Sequence, residues 1–327
     1  MNNLYPLKFK PIYKEKIWGG DRLKKLLDKK LGKLSNCGES WEISGVENEV
    51  SVVSNGFLKG NSLEELIEIY LSDLVGEKVY NRFGIEFPLL IKYIDAKDKL
   101  SIQVHPNDEL AKERHGAYGK TEMWYVIHAE EGAQLVTGFN RPLDRNENSR
   151  YLENQELENI VNYENVKSGD VFFIPAGRVH SIGKGIVLAE IQETSDVTYR
   201  IYDFNRKDNF GNLRELHTDL ALDSIDFKSE KNYRTQYEPV DNVSTTLAEC
   251  QYFTTNVLPL TRLIERDFTE KDSFVIYMCI EGEYTLRWEE GRMGVKNGET
   301  VLVPALINNF SLIPLSGNKT KLLEIYI

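Results

Sequence analysis

The chain has 327 residues, about twice an ordinary domain, so two domains are expected. A hydrophobic fraction of 41% with 28% charged residues belongs to a globular protein and excludes disordered and collagen-like chains. Forty Lys and Arg against 51 Asp and Glu leave a net charge of −11, the wrong sign for holding nucleic acid or an anionic membrane by bulk attraction; an anionic ligand needs a local basic pocket.

Trp18-Gly19-Gly20 reads as a turn, and Asp21–Lys29 as a short helix behind it. Leu63, Leu66, Ile67, Tyr70, Leu71 and Leu74 recur at helical spacing behind a Ser62/Glu65 capping box, which predicts one helix over 62–82. Elsewhere short runs of Val, Ile, Phe, Tyr and Thr, broken by Gly, Asn, Asp and Pro, predict many antiparallel strands. The runs flanking Asp95–Asp98 pair as a hairpin that sets Lys92 across from Ser101. Ser101, Gln103 and His105 then share one strand face. Polar stretches at Arg141–Arg150 and Lys228–Arg234 read as loops, the second as a linker between domains 1–235 and 236–327. Cys37, Cys250 and Cys279 are odd in number and lack CxxC spacing, which predicts free thiols. No signal-peptide pattern and no apolar run of membrane-spanning length occurs, so a cytoplasmic location without membrane, nucleic-acid or obligatory protein partner is expected.

Gly169-Asp-Val-Phe-Phe-Ile-Pro175-Ala176 and Gly298-Glu-Thr-Val-Leu-Val-Pro304-Ala305 match in register, the mark of a duplicated β unit. The first copy continues to Gly177 and His180, the second to Leu306 and Asn309, so chemistry is expected in the first alone. Gly169 to His180 spells G-x5-P-x-G-x2-H, which resembles the second motif of the cupin family. The resemblance implies a mainly β fold of two cupin-type jelly-roll β-barrel domains, with helical additions in the N-terminal half. The first cupin motif is then Gln103, His105 and the carboxylate of Glu122, split by an inserted loop at Asn107–Tyr118. Two imidazoles, a carboxylate and an amide oxygen suit a divalent metal. His115, His128 and His217 show no partner pattern and read as surface residues.

Trp18-Gly-Gly, Ser101-Ile-Gln-Val-His-Pro-Asn, Gly119-Lys-Thr-Glu, Gly177-Arg-Val-His and Glu190-Ile-Gln-Glu-Thr-Ser-Asp-Val-Thr-Tyr-Arg200 together resemble the type I mannose-6-phosphate isomerase family in its short bacterial form. The resemblance implies one zinc ion per chain at Gln103, His105, Glu122 and His180, an active-site Arg200, and interconversion of mannose 6-phosphate and fructose 6-phosphate. Such an aldose–ketose isomerisation proceeds through an enediol and needs a base and an oxyanion stabiliser. Arg200 keeps its proton, which suits it to the second role. Glu190 interrupts an apolar run; a raised pKa would make it a base, the alternative being an ion pair with a nearby cation. Lys120 is the other catalytic candidate, and Lys92 with Ser101 the expected phosphate contact. Two competing readings are an Fe(II) cupin oxygenase, which uses a similar ligand triad, and a non-catalytic sugar-binding cupin.

Overall fold

Alternating β-branched and aromatic residues broken by turn formers produce a mainly β fold of two cupin-type barrels. The computed structural model describes residues 4–154, 156–207, 211–315 and 319–327. In the first barrel one sheet runs in the order Ile12–Gly20, Cys37–Ser44, Leu89–Ala96, Ile186–Glu193, Glu122–Ala129, Val171–Ile174. Its companion runs Tyr199–Tyr202, Ile102–Val104, His180–Ser181, Gln134–Phe139, Val161–Asn165. In the second barrel, Thr245–Glu249, Thr254–Leu260, Thr320–Tyr326, Val275–Glu281 and Thr300–Val303 pack on Ile264–Asp267, Asn309–Pro314, Glu283–Trp288 and Gly291–Lys296. Trp124, Phe172, Leu135 and Ile182 belong to the first interior, and Tyr277, Val301, Leu286 and Phe310 to the second. No helix among the described residues is long and apolar enough to cross a membrane. Among those residues the three cysteines are free.

A third core lies between the barrels. Leu27, Leu74, Val79 and Tyr93 from the first part bury against Phe274, Ile276, Leu302 and Ile325 from the second. Leu7 and Leu302 exchange backbone hydrogen bonds of 2.7 and 2.9 Å across this seam.

The single helix expected over 62–82 is instead three: Leu63–Tyr70, Ser72–Val75 and Glu77–Phe83. Its Ser62/Glu65 capping box forms as read. Leu71 at φ +49° and Gly76 at φ +94° break the helix. The second break serves packing, because a Cβ on Gly76 would lie 2.3 Å from the Asp272 carbonyl, and Asp272 caps Glu77 N and Lys78 N at 2.7 and 2.9 Å. Two expected loops contain helices. Asp108–His115 is capped by Asn107, and Arg145–Glu153 carries an Asp144/Glu147 capping box that lay unread in the sequence. The expected linker at 228–234 runs along the first barrel, with Tyr233 buried and its hydroxyl donating to the Phe139 carbonyl at 3.0 Å.

The hairpin setting Lys92 across from Ser101 does not form. Leu89–Ala96 and Ile102–Val104 lie in different sheets, and Lys92 is flanked by Trp41 and Glu190. The intervening amides pair elsewhere, Asp98 N with Trp18 O at 3.1 Å and Leu100 N with Ile182 O at 2.8 Å, so the chain crosses between sheets instead of folding back.

Candidate active site and metal centre

Residues directly opposite each other in an antiparallel pair share a face. Gln103 pairs with Arg200 on one side and His180 on the other, and His180 pairs with Thr137, so these four form one row. His105, two residues beyond Gln103, continues on the same face. The other sheet contributes a row of Trp41, Lys92, Glu190, Trp124 and Phe172, and beside it Gln192, Glu122 and Ile174. Gly177, at φ +89°, turns the chain into His180 while its amide donates to the His105 carbonyl at 2.9 Å, tying the two motifs together.

His105, Glu122 and His180 converge, with ligand atoms within 4.8 Å of one another and all three side chains buried. His105 Nε2 lies 3.6 Å from Glu122 Oε2, and His180 Nε2 3.6 Å from Oε1. The outer nitrogens face backbone carbonyls, Nδ1 of His105 at 3.0 Å from Val197 and Nδ1 of His180 at 2.8 Å from Arg178. Each Nδ1 therefore carries the proton and leaves an Nε2 lone pair aimed inward. Burial, reinforced by Lys120, drives His105 far below its ordinary value, and burial holds His180 down at about 3. Both are neutral, as ligands must be. Glu122 Oε1 is buried without a hydrogen-bond partner among the described residues, a costly state that a bound cation would relieve. Burial, then the Glu190 charge, pushes the Glu122 carboxyl up. Lys120 Nζ lies 2.9 Å from both His105 Nε2 and Glu122 Oε2, so positive charge already faces two of the three atoms. This donor set fits a divalent metal. The Gln103 amide nitrogen lies 3.2 Å from His180 Nε2; turned over, the carboxamide presents its oxygen there instead.

Lys92 is buried and donates to Glu190 Oε1 at 2.8 Å and Gln192 Oε1 at 2.6 Å. Trp124 Nε1 donates to the other Glu190 oxygen at 2.9 Å, and its ring stands edge-on to His180 at 5.4 Å. The raised pKa expected of Glu190 is not found. Burial acts upward, but the Lys92 and Lys120 charges and the bonds from Lys92 and Trp124 outweigh it and hold Glu190 low. Ser101 is buried on the Gln103 face, away from any cross-strand pairing with Lys92. Arg200 is half-buried; it donates to the Glu215 carbonyl at 2.9 Å and keeps a buried Nε without a partner among the described residues.

Sequence reasoning missed several supports. His217 is not a bystander, since its Nδ1 accepts from Arg200 N at 3.0 Å; His115 is exposed as expected, yet its Nε2 meets the Tyr199 hydroxyl at 2.8 Å. Gln192 and Trp124 were legible in principle, the first sharing Glu190's face by alternation and the second lying two residues after Glu122. The recess lined by Leu152, Ile201, Asp203, Arg206 and Arg214 contains none of the metal-directed side chains.

Barrel, motif and buried triad together define a cupin with an internal candidate metal site. Residues 6–140 match the family described as phosphomannose isomerase type I, catalytic domain, and residues 243–323 the mannose-6-phosphate isomerase cupin domain. Mannose-6-phosphate isomerase ManA of Bacillus subtilis is 37% identical over 313 residues, 94% of this chain and 95% of its own. Mannose-6-phosphate isomerase of Streptococcus mutans is 35% identical, covering 93% and 94% of the two chains. The crystal structure of mannose 6-phosphate isomerase from Bacillus subtilis superposes with a TM-score of 0.89 at 30% identity, over 99% of this chain and 100% of that one. A putative mannosephosphate isomerase from Archaeoglobus fulgidus, 22% identical with a TM-score of 0.79, shares the fold over 100% of this chain and 99% of its own. The chain belongs to the type I mannose-6-phosphate isomerase family, a family of isomerases.

Proposed function

We propose that this chain interconverts mannose 6-phosphate and fructose 6-phosphate through an enediol, with one zinc ion held by His105, Glu122, His180 and the turned amide of Gln103. The observation that carries this reading is the buried Glu122 carboxylate set between two neutral imidazoles, with its Oε1, beside His180, left unpartnered, in a chain of this family. Bound zinc would supply Lewis-acid polarisation of the sugar's carbonyl and hydroxyl oxygens.

The chain's own residues divide the remaining work. Lys120, within hydrogen-bond reach of two of the metal-directed atoms, is the group best sited to carry a proton between the first two sugar carbons. Arg200 keeps its charge and has a spare buried donor, which suits it to stabilising a developing enediolate. Lys92 adds positive charge to the barrel wall, and Ser101, on the Gln103 face, contacts the substrate. Residues 1–235 are the catalytic domain, and 236–327 a cupin-like domain without the metal set.

The test is a coupled isomerase assay on the protein as purified, after chelation, and after zinc is restored, with metal analysis of each sample. Loss and recovery are expected. An isomerase rate indifferent to chelation would sink the zinc assignment, and oxygen uptake with Fe(II) would favour an oxygenase.

A further inference from the structure

Strand pairing around the shared Pro-Ala motif corresponds in the two barrels. Ile174 and Val303 precede the two prolines and pair with Glu122 and Val275, so these last two positions correspond. Two residues on, Trp124 corresponds to Tyr277. Trp124 pairs with Glu190, which pairs with Lys92; Tyr277 pairs with Glu324, which pairs with Asn256. The metal-directed positions are lost in the second barrel, where Val275 stands for Glu122 and Asn309 for His180. The carboxylate row is kept.

A donor from each flanking strand is kept as well, although Asn256 replaces the Lys92 cation and Arg266 and Ser244 add bonds to Glu324 at 2.6 and 2.9 Å. Glu190 takes one bond from the aromatic donor Trp124 at 2.9 Å and one from Lys92 at 2.8 Å, on different oxygens. Glu324 takes the Tyr277 hydroxyl at 2.7 Å on one oxygen and the Asn256 amide at 3.1 Å on the other. A row retained where no ligand set remains does not owe its existence to proton abstraction. A buried carboxylate bonded to both neighbouring strands fixes their register, the best-attested use of a buried polar group.

We propose that Glu190 is a positioning residue and not the base: its carboxylate fixes the Trp124 indole, whose edge sets the His180 ring. Trp124 stands at 77° to His180 with centroids 5.4 Å apart, so a rotated indole displaces the imidazole it packs against. The inference rests on the metal-dependent isomerase reading above.

Wild-type full-length protein loaded with zinc is assayed first; absence of isomerisation there sinks that reading without touching the metal measurements. Affinity is then read by competition with a chromophoric chelator, and ligand geometry from the visible absorption of cobalt(II)-loaded protein. Glu190→Gln and Trp124→Phe are each expected to weaken metal binding about 10- to 100-fold and to shift the cobalt bands. Their effects overlap in the double variant, because one path carries both. At saturating metal, Glu190→Gln keeps kcat within about tenfold of wild type, whereas removal of a general base costs about 100-fold or more. Glu324→Gln lowers the thermal midpoint and leaves the cobalt spectrum and kcat unchanged. A loss of kcat above about 100-fold with a wild-type cobalt spectrum overturns the proposal. Strictly additive losses in the double variant overturn it too. Should Glu190→Gln fail to fold, Trp124→Phe decides alone, an unchanged cobalt spectrum counting against the proposal.

Discussion

Replacing Glu193 by Gln should flatten the pH dependence of folding stability. Glu193 ends the strand that carries Glu190; it is buried, and its Oε1 accepts from Thr121 N at 2.6 Å. Burial, with the Asp108 charge acting the same way and the Thr121 bond opposing, pushes its carboxyl from 4.5 up to about 8. The folded protein therefore holds this proton more tightly than the unfolded chain. The stabilisation is complete below pH 4.5 and disappears as pH rises through about 8. At ~1.4 kcal/mol per pH unit the full difference is on the order of 5 kcal/mol, an upper bound once local relaxation is allowed. Gln keeps the acceptor for Thr121 and a donor towards Asp108, and it has no charge to bury. Urea unfolding of both proteins across pH 4 to 9 is the assay. The curves should meet at the acid end, and wild type should fall below the variant by about 2–5 kcal/mol at the alkaline end. A constant offset between them across the range would refute the assignment of a neutral, buried Glu193.

Lys120→Met should lower kcat by about 10²- to 10⁴-fold with metal content unchanged, measured at saturating sugar phosphate; an unaltered kcat removes Lys120 from proton transfer. Glu122→Gln should weaken zinc binding by at least about 100-fold in chelator competition, since even outer partners of metal ligands contribute 10- to 100-fold. Gly76→Ala should cost about 2–4 kcal/mol in denaturant unfolding, because φ is +94° and the new Cβ meets the Asp272 carbonyl at 2.3 Å; a neutral result would mean the seam between the barrels can open freely.

The two histidines of the candidate triad were legible from chain-local signatures, whereas Glu122, set apart by the inserted loop, followed only from the family resemblance. Gly177 must turn the backbone just before His180, and the alternation of Ser101, Gln103 and His105 follows from the strand alone. What failed was partner choice across distance. Lys92 and Ser101 are separated by a turn that reads as a hairpin, yet the amides of that turn bond to Trp18 and Ile182, neither of which the local sequence can reveal. Of the two readings open for Glu190, the ion pair is the one found: an apolar run predicts desolvation, but Lys92 and Trp124 arrive from the two neighbouring strands. The helix over 62–82 shows the limit from another side. Its apolar spacing is regular throughout, and the breaks at Leu71 and Gly76 exist to let Asp272 and Phe274 dock, with Phe274 N bonding Val75 O at 3.2 Å.

A barrel without ligands still bears on the site through one continuous set of contacts. Tyr252, at the start of the second barrel, donates its hydroxyl to Asp108 Oδ2 at 2.7 Å, while the other Asp108 oxygen accepts from Gly119 N at 2.9 Å. From there the backbone is fastened at successive residues, Lys120 N to the Pro106 carbonyl at 3.2 Å and Thr121 N to Glu193 at 2.6 Å. The next residue is Glu122. Gly119 has no slack, since a Cβ there would lie 2.6 Å from Asp108 N. The helix inserted between His105 and Glu122 is thus the piece through which the second barrel holds the carboxylate and Lys120 against the two histidines. A candidate ligand set gathered from three strands in two sheets needs its backbone fixed to within a fraction of an ångström. The second barrel, which carries none of the candidate ligands among the described residues, thus has a mechanical duty at the site in the first.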